Sequence, residues 1–250
     1  MNILVVNDDG IQSPGIRALV DALSKVADVF VCAPDGQRSA KSHSITLGDT
    51  VLIQPVDFPG AKEALQTSGT PADCTKIGLQ FFADAGNPID MVYSGMNMGS
   101  NLGWDTLYSG TVGAAAEAAM SGVHAVAVSV ASHTATHFET AGELAVQAMN
   151  KVYGKLDPSI VVNINVPDLP REAIKGIKVV PLGSRYYDDK FHPVGGQRYS
   201  LSGEPADYSG AAQDVDVTAV HDDYATITPL QFDFTDKKNI NTIREWNLNL

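Results

Sequence analysis

Cysteine is nearly absent from this chain: two among 250 residues, Cys32 and Cys74, with no C-x-x-C spacing. That excludes a disulfide framework and a thiolate metal site, and it suits buried free thiols in a reducing cytoplasm. Basic side chains are also scarce, with 17 Lys and Arg against 29 Asp and Glu and a net charge of −12. No basic stripe is available to displace counterions, which argues against a nucleic-acid polymer or an anionic membrane as partner. A small anionic substrate stays possible but needs a local cation. No apolar run reaches transmembrane length, no basic and apolar leader with a cleavage site is recognisable, and there is no repeat of solenoid period. The first strand-like stretch is not followed by G-x-G-x-x-G, so a dinucleotide fold of the usual kind is not expected.

What is present is ordinary for a globular enzyme: 44% hydrophobic and 18% charged residues. A chain of this size makes one large α/β domain, or a core with a smaller subdomain, and buries roughly 70–75% of its unfolded surface. Its organising stretch is MNILVVNDDG at residues 1–10. Ile3, Leu4, Val5 and Val6 suit a strand buried on both faces of a parallel sheet. The run stops at Asn7-Asp8-Asp9-Gly10, two carboxylates and an amide at a strand's carboxyl end. That end is where open α/β sheets bind ligands, and a hard divalent cation would balance the charge. Asn, Asp and Gly are equally the residues of a plain turn, so both readings stand on this stretch alone.

Ser13 is expected to cap a helix with Pro14 at its first position, carrying Ile16, Leu19, Val20 and Leu23 inward. With a second buried strand over 29–33, the opening reads β-α-β and predicts a parallel sheet. The polar loop 33–42 follows at another carboxyl end. A serine hydroxyl there could complete a hard-metal shell and Arg38 or Lys41 could face an anion, against the alternative of a plain surface loop. Residues 44–56 alternate weakly, as a hairpin or edge strand would, and the segment 66–71 closes them. Thr70 and Pro71 then open a helix carrying Ala72, Cys74, Ile77, Gly78 and Phe81, ending before Asn87-Pro88.

A strand over 89–94 runs into a Gly- and Asn-rich loop containing Asn97 and Asn101. Ser109-Gly110-Thr111 precedes a small-residue helix over 113–120, and at a helix N-terminus such a sequence can cradle phosphate or simply cap. Glu117 inside that helix is open to two roles, ion-pair partner or supporting group. A strand over 123–129 follows. His133 and His137 stand four apart, but without a third metal ligand, so an exposed or capping role is expected. A helix over 141–152 and a strand over 160–166, with Asn163 and Asn165 inside it, complete the first part. Beyond residue 170 helical periodicity fades. Strands are expected over 177–182 and 224–229 with an irregular arm over 182–214 between them, and a last helix over 236–246 with Ile240 and Ile243 inward. Such a long arm is expected to be functional or intersubunit, and Asp222-Asp223 reads as a solvated turn.

Three separated pieces, NDDG at 7–10, APDGQRS at 33–39 and SGMNMGSNLG…YSGTVGAAAE over 94–117, resemble the survival protein SurE family, and TSGTPAD at 67–73 and NINVP at 163–167 are similar too. The likeness covers nearly the whole chain in order and is weakest over 185–214. The chain departs from the family's usual pattern at Gly36-Gln37, where longer polar side chains are common. The resemblance implies an α/β fold with a Rossmann-like, mostly parallel sheet and helices on both faces, residues 1–170 as catalytic core and 171–250 as a smaller β-rich arm and helix that exchange segments. It implies a metal-dependent 5′-nucleotidase in a homodimer or homotetramer, with some members also cleaving short polyphosphate. By matching position the ligands of one Mg²⁺ or Mn²⁺ per subunit would be Asp8, Asp9, Ser39 and Asn97, and Asn101 with Ser109, Gly110 and Thr111 would line the phosphate pocket.

An oxygen-only ligand set favours Mg²⁺ or Mn²⁺ over zinc. Catalytic roles are expected for Asp9 as base towards water, Asn97, and Thr111 towards the equatorial oxygens. Two rivals are carried. A receiver domain also has an acidic pair after its first strand, but needs an Asp at the end of its third strand and a Lys after its fifth, and Asp90 opens its strand while no Lys follows 123–129. A nucleotide-binding regulator without turnover is the other.

Overall fold

In a computed structural model of the chain, residues 1–185, 188–203, 213–246 and 248 are described. The apolar runs build the centre of a nine-stranded sheet. They are β1 (Asn2–Val6), β2 (Asp28–Pro34), β5 (Met91–Met98), β6 (His124–Val130) and β7 (Val161–Val166), all parallel and joined by the parallel but more polar β4 (Glu63–Thr67). The short β3 (Ile53–Pro55) pairs antiparallel with β4 at one edge. At the other edge β11 (Tyr224–Leu230) pairs antiparallel with β7 and parallel with β8 (Gly176–Val179). The strand order is β3-β4-β2-β1-β5-β6-β7-β11-β8.

Alternation along β1 explains the layers. Ile3 and Val5 point to one core with α1 (Pro14–Leu23) and α5 (Glu139–Val152). Leu4 and Val6 point to a second core with α2 (Pro71–Asp84) and α4 (Gly110–Met120). Burying both sides of one strand is what an uninterrupted apolar run allows. Ser13 caps α1 through a bond from the Gly15 amide at 3.3 Å, with Pro14 first in the helix. Thr70 and Asp73 cap α2 reciprocally, the capping-box arrangement. Cys32 and Cys74 lie buried in the second core as free thiols, and burial pushes the Cys32 thiol up.

From β1 the chain walks outward through β2 to β4, then returns to β5 and walks the other way. The reversal falls between β1 and β5, so the crevice at their carboxyl ends is the switch point at which open α/β sheets take ligands.

Several elements differ from expectation. β5 runs on through Gly95-Met96-Asn97-Met98, because a register shift between Gly95 and Asn97 lets the ladder resume at Asn97↔Ser129. Asn97 therefore belongs to a strand and not to a loop. Residues 63–67 form β4, since pairing with β2 overrides their mixed polarity. The stretch 182–214 lies partly outside the described residues. Within it β9 (Lys190–Gly195) and β10 (Arg198–Ser202) make a separate antiparallel hairpin, and α6 (Asp216–His221) follows. The last helix, α7 (Ile240–Arg244), buries none of its residues, and Ile243 is half exposed because nothing described in this chain covers it. Between Leu102 and α4 a short helix, α3 (Asp105–Tyr108), turns the chain. No described helix is long and apolar enough to cross a membrane.

Candidate active site

The acidic corner is built by three strand ends and one helix start. Asn7 is fully buried after β1 and its Nδ2 donates to Gly10 O at 2.9 Å, closing the turn that Gly10 makes at φ +95°. The turn leaves Asp8 buried and Asp9 half-buried, side by side. Asp8 Oδ1 accepts from Thr111 Oγ1 at 2.6 Å, which joins β1 to the first turn of α4. Asp9 Oδ2 accepts from the Met98 amide at 3.0 Å, which joins β1 to the end of β5. The Arg38 amide donates to Asp8 O at 2.7 Å and seats the loop after β2 on the same corner, with the exposed Ser39 next along the chain.

The N-terminus of α4 approaches Asp8 so closely that only Gly fits at its first position. A Cβ on Gly110 would stand 2.8 Å from Asp8 Cβ and 2.9 Å from its Oδ2. Ser109 Oγ takes the Val112 amide at 3.0 Å, and Ser109 O takes Gly113. The Gly110 and Thr111 amides have no such intrahelical partner, so they and the positive end of the helix dipole are left facing the acidic corner.

Burial raises both carboxyls. For Asp8 burial comes first, opposed by the Thr111 hydroxyl and reinforced by Asp9, and its pKa is pushed to about 6. For Asp9 burial outweighs the Met98 amide and nearby His133. Two crowded carboxylates, with no Lys or Arg in an ion pair with either among the described residues, stand next to the buried and unpartnered Asn7 Oδ1. A hard cation fits that corner. Asp8 and Asp9 offer carboxylate oxygens. Asn97 commits its Nδ2 to Gly99 O at 2.7 Å, which turns its amide oxygen away and leaves it available. No group of three His, Cys, Asp or Glu is gathered among the described residues, so the donors on offer are the mixed oxygens of carboxylate, amide and hydroxyl.

Asn101 stands differently. Its Nδ2 donates to Ser129 Oγ at 2.8 Å, its amide to Asn165 Oδ1 at 2.7 Å, and its carbonyl accepts from Asn163 and Asn165 at 2.9 and 3.1 Å. Asn163 and Asn165 lie two apart on one face of β7 and grip the Asn101 backbone as a neighbouring strand would. Their spacing in an otherwise apolar strand was the available signal for this, since buried amides require partners.

Asp216, fully buried at the start of α6, accepts from Gly103 at 2.8 Å and Gly183 at 2.7 Å and braces the far end of the same loop. Glu117 takes the ion-pair role: Lys76 Nζ lies at 2.6 Å and His43 Nε2 at 2.8 Å, so the 38–44 loop is fastened to α4. His133 approaches Met98 O at 3.2 Å and His137 pairs with Asp168 at 3.0 Å, and they make no joint site.

The family model described as Survival protein SurE matches residues 3–189. Two curated relatives carry the name 5′-nucleotidase SurE. That of Pelotomaculum thermopropionicum is 41% identical over 98% of this chain and 95% of its own length. That of Heliobacterium modesticaldum is 40% identical over 98% of this chain and 92% of its own. The crystal structure of the SurE protein from Aquifex aeolicus superposes with a TM-score of 0.84 at 35% identity, covering 98% of this chain and 99% of that one.

Proposed function

The chain belongs to the survival protein SurE family, and from that premise we propose that it is a metal-dependent 5′-nucleotidase, hydrolysing nucleoside 5′-monophosphates to nucleoside and phosphate. The observation that carries the reading is the 2.6 Å bond from Thr111 to Asp8, which puts an acidic pair against a helix N-terminus. Such a pairing suits a site that must hold a cation and a phosphoryl group together.

In this reading Asp8, Asp9, Ser39 and Asn97 hold one Mg²⁺ or Mn²⁺. When bound, that ion supplies Lewis acidity to a phosphoryl oxygen and lowers the pKa of a water. The Gly110 and Thr111 amides and the Ser109 hydroxyl donate to the equatorial oxygens, and Asn101 lines the same pocket. Thr111, through its hydroxyl, also fixes Asp8. Asp9 keeps one oxygen on the Met98 amide and presents the other as base to the attacking water. Asn97 completes the reacting corner. The proposal extends to 3′-monophosphates and short polyphosphate as further substrates, since every contact named is to the phosphoryl group.

We further propose residues 1–170 as catalytic core and 171–250 as an arm and helix serving a second copy, in a homodimer or homotetramer. Phe191, Val194, Tyr199 and Leu201 on the hairpin are all exposed, which supports an intersubunit role. A cytoplasmic location is proposed from the two free thiols.

A receiver domain is disfavoured by Asp90. It accepts from the Asn2 amide at 2.8 Å, at the amino end of the sheet and opposite the acidic corner. Incubating the protein with a panel of nucleoside monophosphates and Mn²⁺, and assaying free phosphate, tests the reading. Phosphate release is expected. Nucleotide binding without release would favour a regulator.

A further inference from the structure

Beside the acidic corner lies a cavity of about 410 Å³ with no part in the phosphate contacts above. Its floor is the carboxyl end of β6 and β7, with Ser132, Pro167 and Asp168. α6 covers it through Val217 and Val220, and Ser100 and Arg185 stand at its rim. We propose that this cavity holds the base and ribose of the substrate, an inference that rests on the phosphatase reading.

Position supports it first. Ser100 and Leu102, which flank Asn101 in sequence, line the cavity, so the chain that carries the proposed phosphate residue Asn101 also runs along its wall. β5, β6 and β7 are adjacent and parallel. The cavity is therefore one to two strand spacings, about 5–10 Å, from the end of β5, within reach of a nucleoside whose phosphoryl group sits at that end. Its volume also falls within the few hundred Å³ usual for small-ligand clefts.

The walls supply the matching chemistry. Pro167, Val217 and Val220 offer apolar faces to a flat base. Asp168 Oδ1 accepts from the Thr136 amide at 3.0 Å, the His137 amide at 2.8 Å and His137 Nδ1 at 3.0 Å. Burial works against ionisation, but these donors hold the carboxyl below its ordinary range. It thus stays an acceptor, fixed in place, as a ribose diol requires. Asp223 adds a second carboxylate to the lining. The rim guanidinium of Arg185 is engaged with Asp105 at 3.1 Å and Ser100 Oγ at 3.0 Å.

Val220→Trp fills the cavity from α6, and Ala131→Leu fills it from the end of β6. Each is assayed with AMP and with glycerol 2-phosphate, which has neither base nor ribose, and titrated calorimetrically with adenosine. The KM for AMP is expected to rise about tenfold or more and adenosine binding to be lost. Constants for glycerol 2-phosphate, which also report that the fold is intact, are expected within about twofold of the parent's. An unchanged KM for AMP in both variants, equal losses on both phosphates, or undiminished adenosine binding would overturn the inference. If the parent protein releases phosphate from neither compound, the phosphatase reading fails by itself, and the adenosine titrations still decide what the cavity binds.

Discussion

Asp8 does two jobs with two oxygens. One accepts the Thr111 hydroxyl, and the other faces the space that a Gly110 Cβ would fill. Gly110→Ala must therefore shift either the helix or the carboxylate. A misplacement of about 1 Å costs on the order of 10²-fold in rate, and that loss is expected in kcat with AMP, together with weaker Mn²⁺ binding by calorimetry. Thr111→Ala removes a hydroxyl without moving the backbone. A loss of about 10²–10³ in kcat is expected with Mn²⁺ affinity kept, and Thr111→Ser is expected to recover most of it. Lost Mn²⁺ affinity in Thr111→Ala would instead make Thr111 chiefly a support for the cation. At this scale the sequence was informative where chemistry interrupts a pattern, as when Asp8 and Asp9 end an apolar strand. It was silent on Asp216, which takes the Val217 amide beside it but also two amides 113 and 33 residues away. Nothing in local spacing reports such contacts.

Among the elements, α4 links both halves of the candidate site. Its N-terminus meets Asp8, and one turn before its end the buried Glu117 holds Lys76 and His43. Burial alone would raise the Glu117 carboxyl, but Lys76 and His43 bring it below its ordinary value of 4.5. A depressed folded pKa means stability that is present above that ordinary value and lost as pH falls through the lower folded one. Glu117→Gln is thus expected to melt lower than the parent at pH 7, by about 2 kcal/mol. The gap should close as the pH drops below 4.5. Equal melting curves at pH 7 would deny the ion pair any energetic role. The cap of α4 at Ser109 was readable from residue type. The length of β5 was not, because Gly and Asn argue against a strand and only the ladder to β6 keeps Asn97 in it.

For the whole molecule, the opening β-α-β and the buried runs foretold a parallel sheet with helices on both faces. They could not foretell its order, since strand neighbours are chosen by long-range packing. The insertion of β11 between β7 and β8 illustrates this, for it returns antiparallel from the far end of the chain to pair Thr226 with Asn165. With a net charge of −12 the body of the protein repels a nucleotide. Attraction must come from the α4 N-terminus and from a bound cation, so removing the cation should remove activity. The most direct measurement is phosphate release from AMP by the parent and by Asp8→Asn, each stripped with chelator and titrated back with Mn²⁺, with folding monitored by circular dichroism. The account predicts that the parent falls silent on stripping and recovers with Mn²⁺, while folded Asp8→Asn releases no phosphate at any Mn²⁺ concentration. Turnover by Asp8→Asn at the parent's rate, or undiminished turnover by the stripped parent, would contradict it.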